Sequence, residues 1–249
     1  MIEAGLFKAA PLDLSDPAKL SYLLDRLVEH ESHWTDFQKD PNQRRLLASS
    51  LLADAIRGED TFVFEVWRMG ETPVLTGILS FTHVRPGIGA QFHPVFFDGK
   101  LRNFLGKREL LLRAMDWAFN ALSLHRLSVE LPETMYALVT FSRKKLGFRF
   151  EAENRTIRQQ RLIQTGPSGT YGKAVRRLVA LTPGAREAEY GSRRFQAVLK
   201  DGKWLDMILL SITREEFNTF VREATCQDSS TDPTLSKPFP ATSPVAETP

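Results

Sequence analysis

The sequence has few of the features that mark exported, membrane-embedded or metal-centred proteins. Its 249 residues include one cysteine, Cys226, which cannot form an internal disulfide bond and has no second cysteine with which to hold a metal ion. No apolar run reaches the roughly 18 residues that a membrane-spanning helix requires. The first residues, MIEAGLFKAAPLDLSD, lack the basic start and apolar stretch of a secretion signal. We therefore expect residence in the cytoplasm, or in a particle assembled there.

Net charge and catalytic motifs are scarce as well. The 33 basic and 30 acidic residues leave a formal net charge of +3. An excess of this size is typical of a solvated surface, so a nucleic-acid partner is permitted but not indicated. The sequence contains no Ser-His-Asp order, HExxH motif, Walker loop or paired-cysteine site. These absences give no support to the corresponding hydrolase, nucleotide-binding and metalloprotein classes, and we predict no metal site.

The first hundred residues carry clear helix and strand patterns. A composition of 42% hydrophobic and 25% charged residues is sufficient for one substantial core. Ser15 is expected to cap a first helix, and Asp40 a second helix that Gly58 ends. TFVFEVWRMG and VLTGILSFTHV then alternate like strands, with GETP as the hairpin turn. The sequence therefore predicts two helices followed by a pair of antiparallel strands.

The middle of the chain alternates strands with helices. A strand is predicted from Ile88 to Gly99, interrupted at Pro94, and a strong helix ends near Ala121. Residues 127–131 alternate like a strand, and residues 133–145 contain no Gly or Pro and are predicted to be helical. The turn LGF then leads to a further strand, RFEAE. The order strand, helix, turn, strand is typical of a βαβ unit.

The rest of the chain divides into an insertion, a hairpin, a helix and a tail. A basic segment at about 154–194, broken by Gly and Pro, has no regular pattern and is predicted to be an insertion. RRFQAVLKDGKWLDMILLSI predicts a hairpin that turns at Asp201 and Gly202, and Thr213 with Glu216 predicts a capping box for a short last helix. Residues 226–249 are rich in Ser, Thr and Pro and are expected to form an extended tail. We thus predict one domain over residues 1–225.

This succession of elements resembles the GCN5-related N-acetyltransferase (GNAT) superfamily over roughly residues 10–220. RKKLGFRFEAENR is similar to the family's helix-to-strand turn, and LKDGKWLDMILLSITREEF is similar to the last strands of its ribosomal-protein-acetylating branch. The resemblance implies an α+β (α/β) fold, with a mixed central sheet of about six to seven strands flanked by helices and a basic insertion before the last hairpin. It also implies acetyl transfer from acetyl-CoA to an amine.

The family holds the pyrophosphate of CoA on backbone amides and glycines at a helix N-terminus, where the helix dipole is positive. The matching segment here is KLRNFLGKREL. The resemblance implies cofactor contacts from four of its residues: Arg102, Gly106, Lys107 and Arg108. Phe104 occupies an earlier glycine position of the family, and Leu101 occupies its basic position. The alternative is an ordinary helix start with a solvated basic rim.

The family's acid and base have only partial counterparts. Relatives place an Asn, and often a Tyr that protonates the departing thiolate, on the helix before LGF, where this chain has Tyr136 and Arg143. Tyr136 can donate a proton, although surface packing is an alternative role. A base for the attacking amine is expected on the central strands, where the candidates are Glu65, His83, His93 and Glu130. A hydrogen-bonded structural role is the alternative for each of them.

Two functions remain open from the sequence. One is an acetyl-CoA-dependent N-acetyltransferase. The other is a non-catalytic assembly component of a large complex such as a phage virion, with no cofactor, and the departures from the family motifs place it first. FDGKLRNFLGKREL is similar in style to acetyltransferase-like proteins of tailed bacteriophages. The basic insertion and the tail would then contact other protein subunits.

Overall fold

The computed structural model of the protein describes residues 1–29, 40–58, 60–97, 106–151, 192–200 and 203–229. These residues form one mixed sheet of nine strands and five α-helices. The helices are α1 (Pro17–Glu29), α2 (Pro41–Arg57), α3 (Arg108–Ala121), α4 (Tyr136–Leu146) and α5 (Arg214–Ser229). The strands are β1 (Ile2–Ala4), β2 (Phe7–Pro11), β3 (Phe62–Arg68), β4 (Val74–Arg85), β5 (Gly89–Phe96), β6 (Arg126–Pro132), β7 (Arg149–Phe150), β8 (Arg193–Lys200) and β9 (Lys203–Thr213).

The strands follow the order β1-β2-β3-β4-β5-β6-β9-β7, and β8 also pairs with β9. All neighbours are antiparallel except β5 and β6, which run parallel. The predicted mixed sheet with flanking helices is confirmed, but its strand count was too low. The hairpin of β1 and β2 was not predicted, because three and five residues are too few to display a clear alternation.

Two apolar clusters lie on opposite faces of the sheet. On the front face, α1 and α2 cover β3, β4 and β5, and the buried side chains include Leu23, Leu52, Ile78 and Val95. On the back face, α3, α4 and α5 cover the sheet, with buried side chains that include Phe81, Phe92, Met115, Phe119, Ile212 and Phe217. Among the described residues, no helix has the length and apolar character needed to cross a membrane.

The helix ends largely follow the predicted capping residues. Asp40 accepts a hydrogen bond from the Asn42 amide at 3.0 Å, and Gly58 ends α2 with a left-handed φ of 68°. For α1 the prediction of Ser15 was wrong by one residue. The Asp16 carboxylate accepts from the amides of Ala18 at 2.9 Å and Lys19 at 3.3 Å, since it directly precedes the first helical residue.

The turn LGF ends α4 as predicted. Gly147 adopts a left-handed φ of 80°, and the Phe148 amide donates to the Ser142 carbonyl at 3.1 Å. A short 3-10 turn, Glu133–Met135, precedes α4. The predicted βαβ unit needs a correction, because β9 lies between β6 and β7 and is antiparallel to both. The strands on either side of α4 are therefore parallel but not adjacent.

Strands β7 and β8 occupy consecutive positions along the same edge of β9. Phe150 pairs with Leu210, the Leu209 amide donates to the Ser192 carbonyl at 2.9 Å, and Arg193 pairs with Ile208. The chain therefore leaves this edge after Phe150 and rejoins it at Ser192. Most of the predicted insertion, and the predicted tail beyond residue 229, lie outside the described residues. Helix α5 runs to Ser229, so the chain is still helical where the tail was predicted to begin at residue 226.

The capping box at the start of α5 gives a stability prediction. The Glu216 amide donates to Thr213 Oγ1 at 3.3 Å, and Glu216 Oε2 accepts from the Thr213 amide at 2.8 Å. We expect Thr213→Ala to lower the free energy of unfolding by about 1 kcal/mol. Thr219→Ala is the matched control, because the exposed Thr219 hydroxyl donates only to the Glu215 carbonyl within the helix. Equal urea-unfolding midpoints for the two variants would contradict the prediction.

Candidate functional site

The centre of the sheet opens between β5 and β6. The two strands pair over only three positions: Gly89 with Arg126, Ala90 with Leu127, and Gln91 with Ser128. Beyond this point β5 stays paired with β4 and β6 stays paired with β9. We call the opening between residues 92–96 and 129–132 the split, and residues 129–132 the free arm of β6. Its edges carry backbone groups that the β5–β6 ladder does not use.

A proline lies on the β5 side of the split without interrupting the strand. The Phe97 amide donates to the Thr76 carbonyl at 2.9 Å, and hydrogen-bonded pairs alternate along an antiparallel ladder. The nitrogen of Pro94, three residues earlier, therefore points away from β4 and into the split. A proline can occupy this central strand because no ladder bond to β4 is lost. The predicted interruption at Pro94 was wrong for this reason.

The four predicted cofactor contacts have different environments at the start of α3. Gly106 is exposed, and a Cβ atom added to it would have no heavy atom of the described residues within 4 Å. Lys107 is 1% exposed, with Nζ 4.3 Å from the ring centroid of Phe96, so it does not belong to a solvated rim. Arg108 is half-buried, and its Nε donates to the Lys145 carbonyl at 3.0 Å. Arg102 lies outside the described residues.

Glu65 lies on the front face of β3, separated from the split by β4 and β5. Its buried carboxylate accepts from Lys19 Nζ at 2.8 Å, the Asp13 amide at 3.1 Å and Trp67 Nε1 at 3.1 Å. These three donors join the carboxylate to α1, to the loop before α1 and to a neighbour on β3. Such a fully bonded carboxylate is typical of a structural anchor.

The two histidines differ in burial and position. His93 lies on β5 at the edge of the split, and its Nε2 is 3.3 Å from Gln91 Oε1. Burial, with a smaller contribution from His83, lowers the pKa of His93 to about 4. His93 is therefore neutral at pH 7. His83 is exposed near the end of β4, where its backbone adopts a left-handed φ of 52°.

The two residues singled out on the helix before LGF, Tyr136 and Arg143, also lie in different surroundings. Tyr136 is the first residue of α4, just beyond the free arm, and is 54% exposed. Arg143 lies two turns further along, with its guanidinium carbon 4.1 Å from the ring centroid of Phe150. Phe150 belongs to β7, two strands from β6, so Arg143 is held away from the split. The split thus has His93 on one border and Tyr136 just beyond the other.

An ion-pair network at the free arm was missed from the sequence. Arg193 Nη1 lies 3.0 Å from Glu133 Oε2 and 3.2 Å from Asp206 Oδ2, and the Asp206 amide donates to Glu133 Oε1 at 3.2 Å. Arg194 Nη2 lies 3.2 Å from Glu130 Oε1, which pairs this candidate base with a cation. Only the adjacent arginines that open β8 gave any sequence signal. Within the described ranges, no three His, Cys, Asp or Glu side chains are grouped so that they would hold a metal ion.

The burial of His93 predicts a pH dependence of stability. The unfolded chain takes up a proton near the ordinary pKa of 6.5, whereas the folded protein does so only near 4. Between these values the unfolded state binds more protons, so stability falls as the pH is lowered from 6.5 towards 4. We expect His93→Gln to remove a slope of roughly 1 kcal/mol per pH unit from urea-unfolding free energies in this window. His125→Gln, at an exposed histidine, is the control, and identical pH profiles for the wild type and His93→Gln would contradict the prediction.

Solved structures that match this fold include acetyltransferases. A spermidine N-acetyltransferase from Vibrio cholerae, in complex with CoA and spermine, matches with a TM-score of 0.54 and 15% identity, over 86% of this chain and 98% of that one. A chimera of the Vibrio cholerae enzyme SpeG and hSSAT matches with a TM-score of 0.57 and 14% identity, over 86% and 99%. No protein-family model and no curated protein matches the sequence. The GNAT fold predicted from the sequence is confirmed, and identities this low support the fold alone.

Proposed function

We propose that this protein is an N-acetyltransferase that transfers the acetyl group of acetyl-CoA directly to an amine. The observation that carries the proposal is the split between the parallel strands β5 and β6, with α3 after one strand and α4 after the other. A fold with TM-score 0.54 to this chain holds CoA and an amine in a solved acetyltransferase. The proposal therefore reverses the order of the two functions predicted from the sequence motifs.

Two features of the described residues support CoA as the cofactor. The coenzyme's extended arm contains amide groups, which can hydrogen-bond to backbone edges such as those of the split. Its phosphates suit the positive end of the α3 dipole, where Gly106 leaves open space. Since Lys107 is buried and Arg108 bonds to Lys145, we propose that backbone amides hold the phosphates more than basic side chains do.

Acetyl-CoA supplies an activated thioester, and the protein positions an amine against it. In the transfer, a bond forms between the amine nitrogen and the acetyl carbon, and the bond between that carbon and sulfur breaks. We assign His93 as the residue that accepts the amine proton, because it borders the split. Its pKa of about 4 means that it passes this proton on to water and does not keep it. We assign Tyr136 as the donor that protonates the departing sulfur. Glu65 serves as a structural anchor in this proposal.

The acceptor is proposed to be an amine that is not polycationic. A polyamine needs carboxylates without cation partners, but Glu130 is bonded to Arg194, and Glu133 and Asp206 are bonded to Arg193. With these charges compensated, little attraction for a polycation remains at the free arm. The acceptor named for the Vibrio cholerae enzyme is thus not the one proposed for this chain.

An acyl-transfer assay tests the proposal. The full chain is incubated with acetyl-CoA and amines that include spermidine, free amino acids and peptides, and both thiol release and the mass of the product are followed. We expect a monoamine to gain one acetyl group, and His93→Gln and Tyr136→Phe to lower turnover by on the order of 100-fold. If no amine is acetylated and CoA does not bind, the proposal fails.

The assembly role remains the second candidate. It depends on the basic insertion and on the tail, which lie mostly outside the described residues. No contact of the described residues favours it over the enzyme. The similarity to phage proteins and the contacts with other subunits stay predictions from the sequence.

A further inference from the structure

We propose that Pro94 and Pro132 keep the split open by removing the backbone donors that would close it. The inference rests on the proposed function, because an open split is what would admit CoA. It concerns two positioning residues, which act through the backbone of the two strands. Neither residue is among the predicted catalytic or cofactor contacts.

One backbone hydrogen bond to β4 fixes the direction of every backbone donor along β5. The Phe97 amide donates to Thr76 on β4, so donors at odd-numbered positions of this strand face β4 and those at even-numbered positions face β6. Position 94 therefore faces the split. Any other residue there would present an N–H group to β6, and Pro94 presents none.

The same alternation applies to β6. The Arg126 amide donates to the Ile88 carbonyl at 3.1 Å, and the Arg214 amide donates to the His125 carbonyl at 2.9 Å. Even-numbered positions of β6 therefore face β5, and odd-numbered positions face β9. Pro132, six residues after Arg126, lies on the side of β5 and also lacks a donor.

The two prolines would be consecutive in a closed ladder. If the parallel pairing of Gln91 with Ser128 continued, the nitrogen at 94 would donate to the Glu130 carbonyl. The nitrogen at 132 would then donate to the Pro94 carbonyl. Two successive hydrogen bonds of this ladder cannot form, because positions 94 and 132 have no N–H group. Pairing of the two strand edges would therefore be only weakly stabilised.

The two strands that border the split are also held in place by the strands on their other sides. Residues of β5 remain paired with β4 as far as Phe96, and residues of β6 remain paired with β9 as far as Pro132. Arg193 and Arg194 are adjacent on β8, and they bond to Glu133, just after the free arm, and to Glu130, within it. The prolines thus remove backbone hydrogen bonds that would draw β5 and β6 together, while the pairing with β4 and β9 and the two ion pairs hold these strands in place.

The test restores both donors with the double variant Pro94→Ala/Pro132→Ala. CoA would then have to break two backbone hydrogen bonds on entering, so we expect its affinity to fall about tenfold, the equivalent of about 1.4 kcal/mol. The new amides at positions 94 and 132 are expected to be protected from hydrogen exchange without CoA. Pro11→Ala is the control, because Pro11 ends β2, far from the split in strand order, and its substitution reports the general effect of losing a proline.

The two readouts separate this inference from the proposed function. Unchanged or tighter CoA binding by the double variant, with new amides that exchange freely, would overturn the inference and leave the function standing. If the wild type does not bind CoA, the function fails, and exchange at positions 94 and 132 still decides whether the prolines hold the strands apart. Amides of β4 serve as the internal reference, since general unfolding would accelerate their exchange as well.

Discussion

Gly89→Ala is expected to destabilise the fold by about 3 kcal/mol and to abolish CoA binding. Gly89 is the first residue of β5 to pair with β6, and a Cβ atom there would lie 2.6 Å from the carbonyl oxygen of Arg126. Cβ atoms essentially never approach another atom this closely, and a backbone oxygen cannot turn aside as a flexible side chain can. In the variant, β5 and β6 must therefore move apart where Gly89 pairs with Arg126.

Urea unfolding and thermal melting measure this effect. A loss of about 3 kcal/mol corresponds to a melting temperature lower by roughly 6–12 °C for a domain of this size. Gly70→Ala is the matched control, because a Cβ atom at Gly70 would meet no heavy atom within 4 Å in the part of the chain that the structure describes. Equal melting temperatures for the two variants would show that β5 and β6 do not approach each other this closely at Gly89.

Gly106→Trp is expected to weaken CoA binding by on the order of 100-fold while leaving stability unchanged. Gly106 is exposed and has open space around it, so an indole ring can extend into solvent at little cost to the fold. The same ring would fill the space at the start of α3 that the proposal assigns to the phosphates. Calorimetry gives the affinity, and the melting temperature checks the fold.

The control for this substitution is Gly70→Trp. Among the described residues Gly70 is equally open, and it lies in the turn between β3 and β4 and not in the segment that begins α3. We expect its CoA affinity to match that of the wild type. A Gly106→Trp variant that retains the wild-type affinity would show that CoA does not use the start of α3.

Local chemistry made much of the fold predictable. Asp40 and Gly58 mark the ends of α2, Thr213 and Glu216 cap α5, and Gly147 ends α4, because each acts on backbone groups within a few residues of itself. The position of β9 between β6 and β7 was not predictable in this way. It depends on pairing between residues that lie from 60 positions apart (Phe150 with Leu210) to 87 positions apart (Arg126 with Thr213), which leaves no local pattern.

The candidate site was less predictable, because strand order and backbone geometry define it. In the sequence, Glu65 and His93 are both polar residues on predicted strands. Only the order of the strands shows that Glu65 lies two strands away from the split, whereas His93 lies at its edge. Lys107 looked solvated beside other charged residues, but its side chain turns towards Phe96. The missing family side chains favoured the assembly role, whereas the split depends on where the pairing of β5 with β6 stops.

Isothermal titration calorimetry of the full chain with acetyl-CoA tests the central claim most directly. An open split that holds the coenzyme predicts one site per chain, with a dissociation constant on the order of micromolar or below. The affinity should survive Gly70→Trp and be lost in Gly106→Trp. No detectable binding at coenzyme concentrations on the order of a millimolar would contradict the account and return the assembly role to first place.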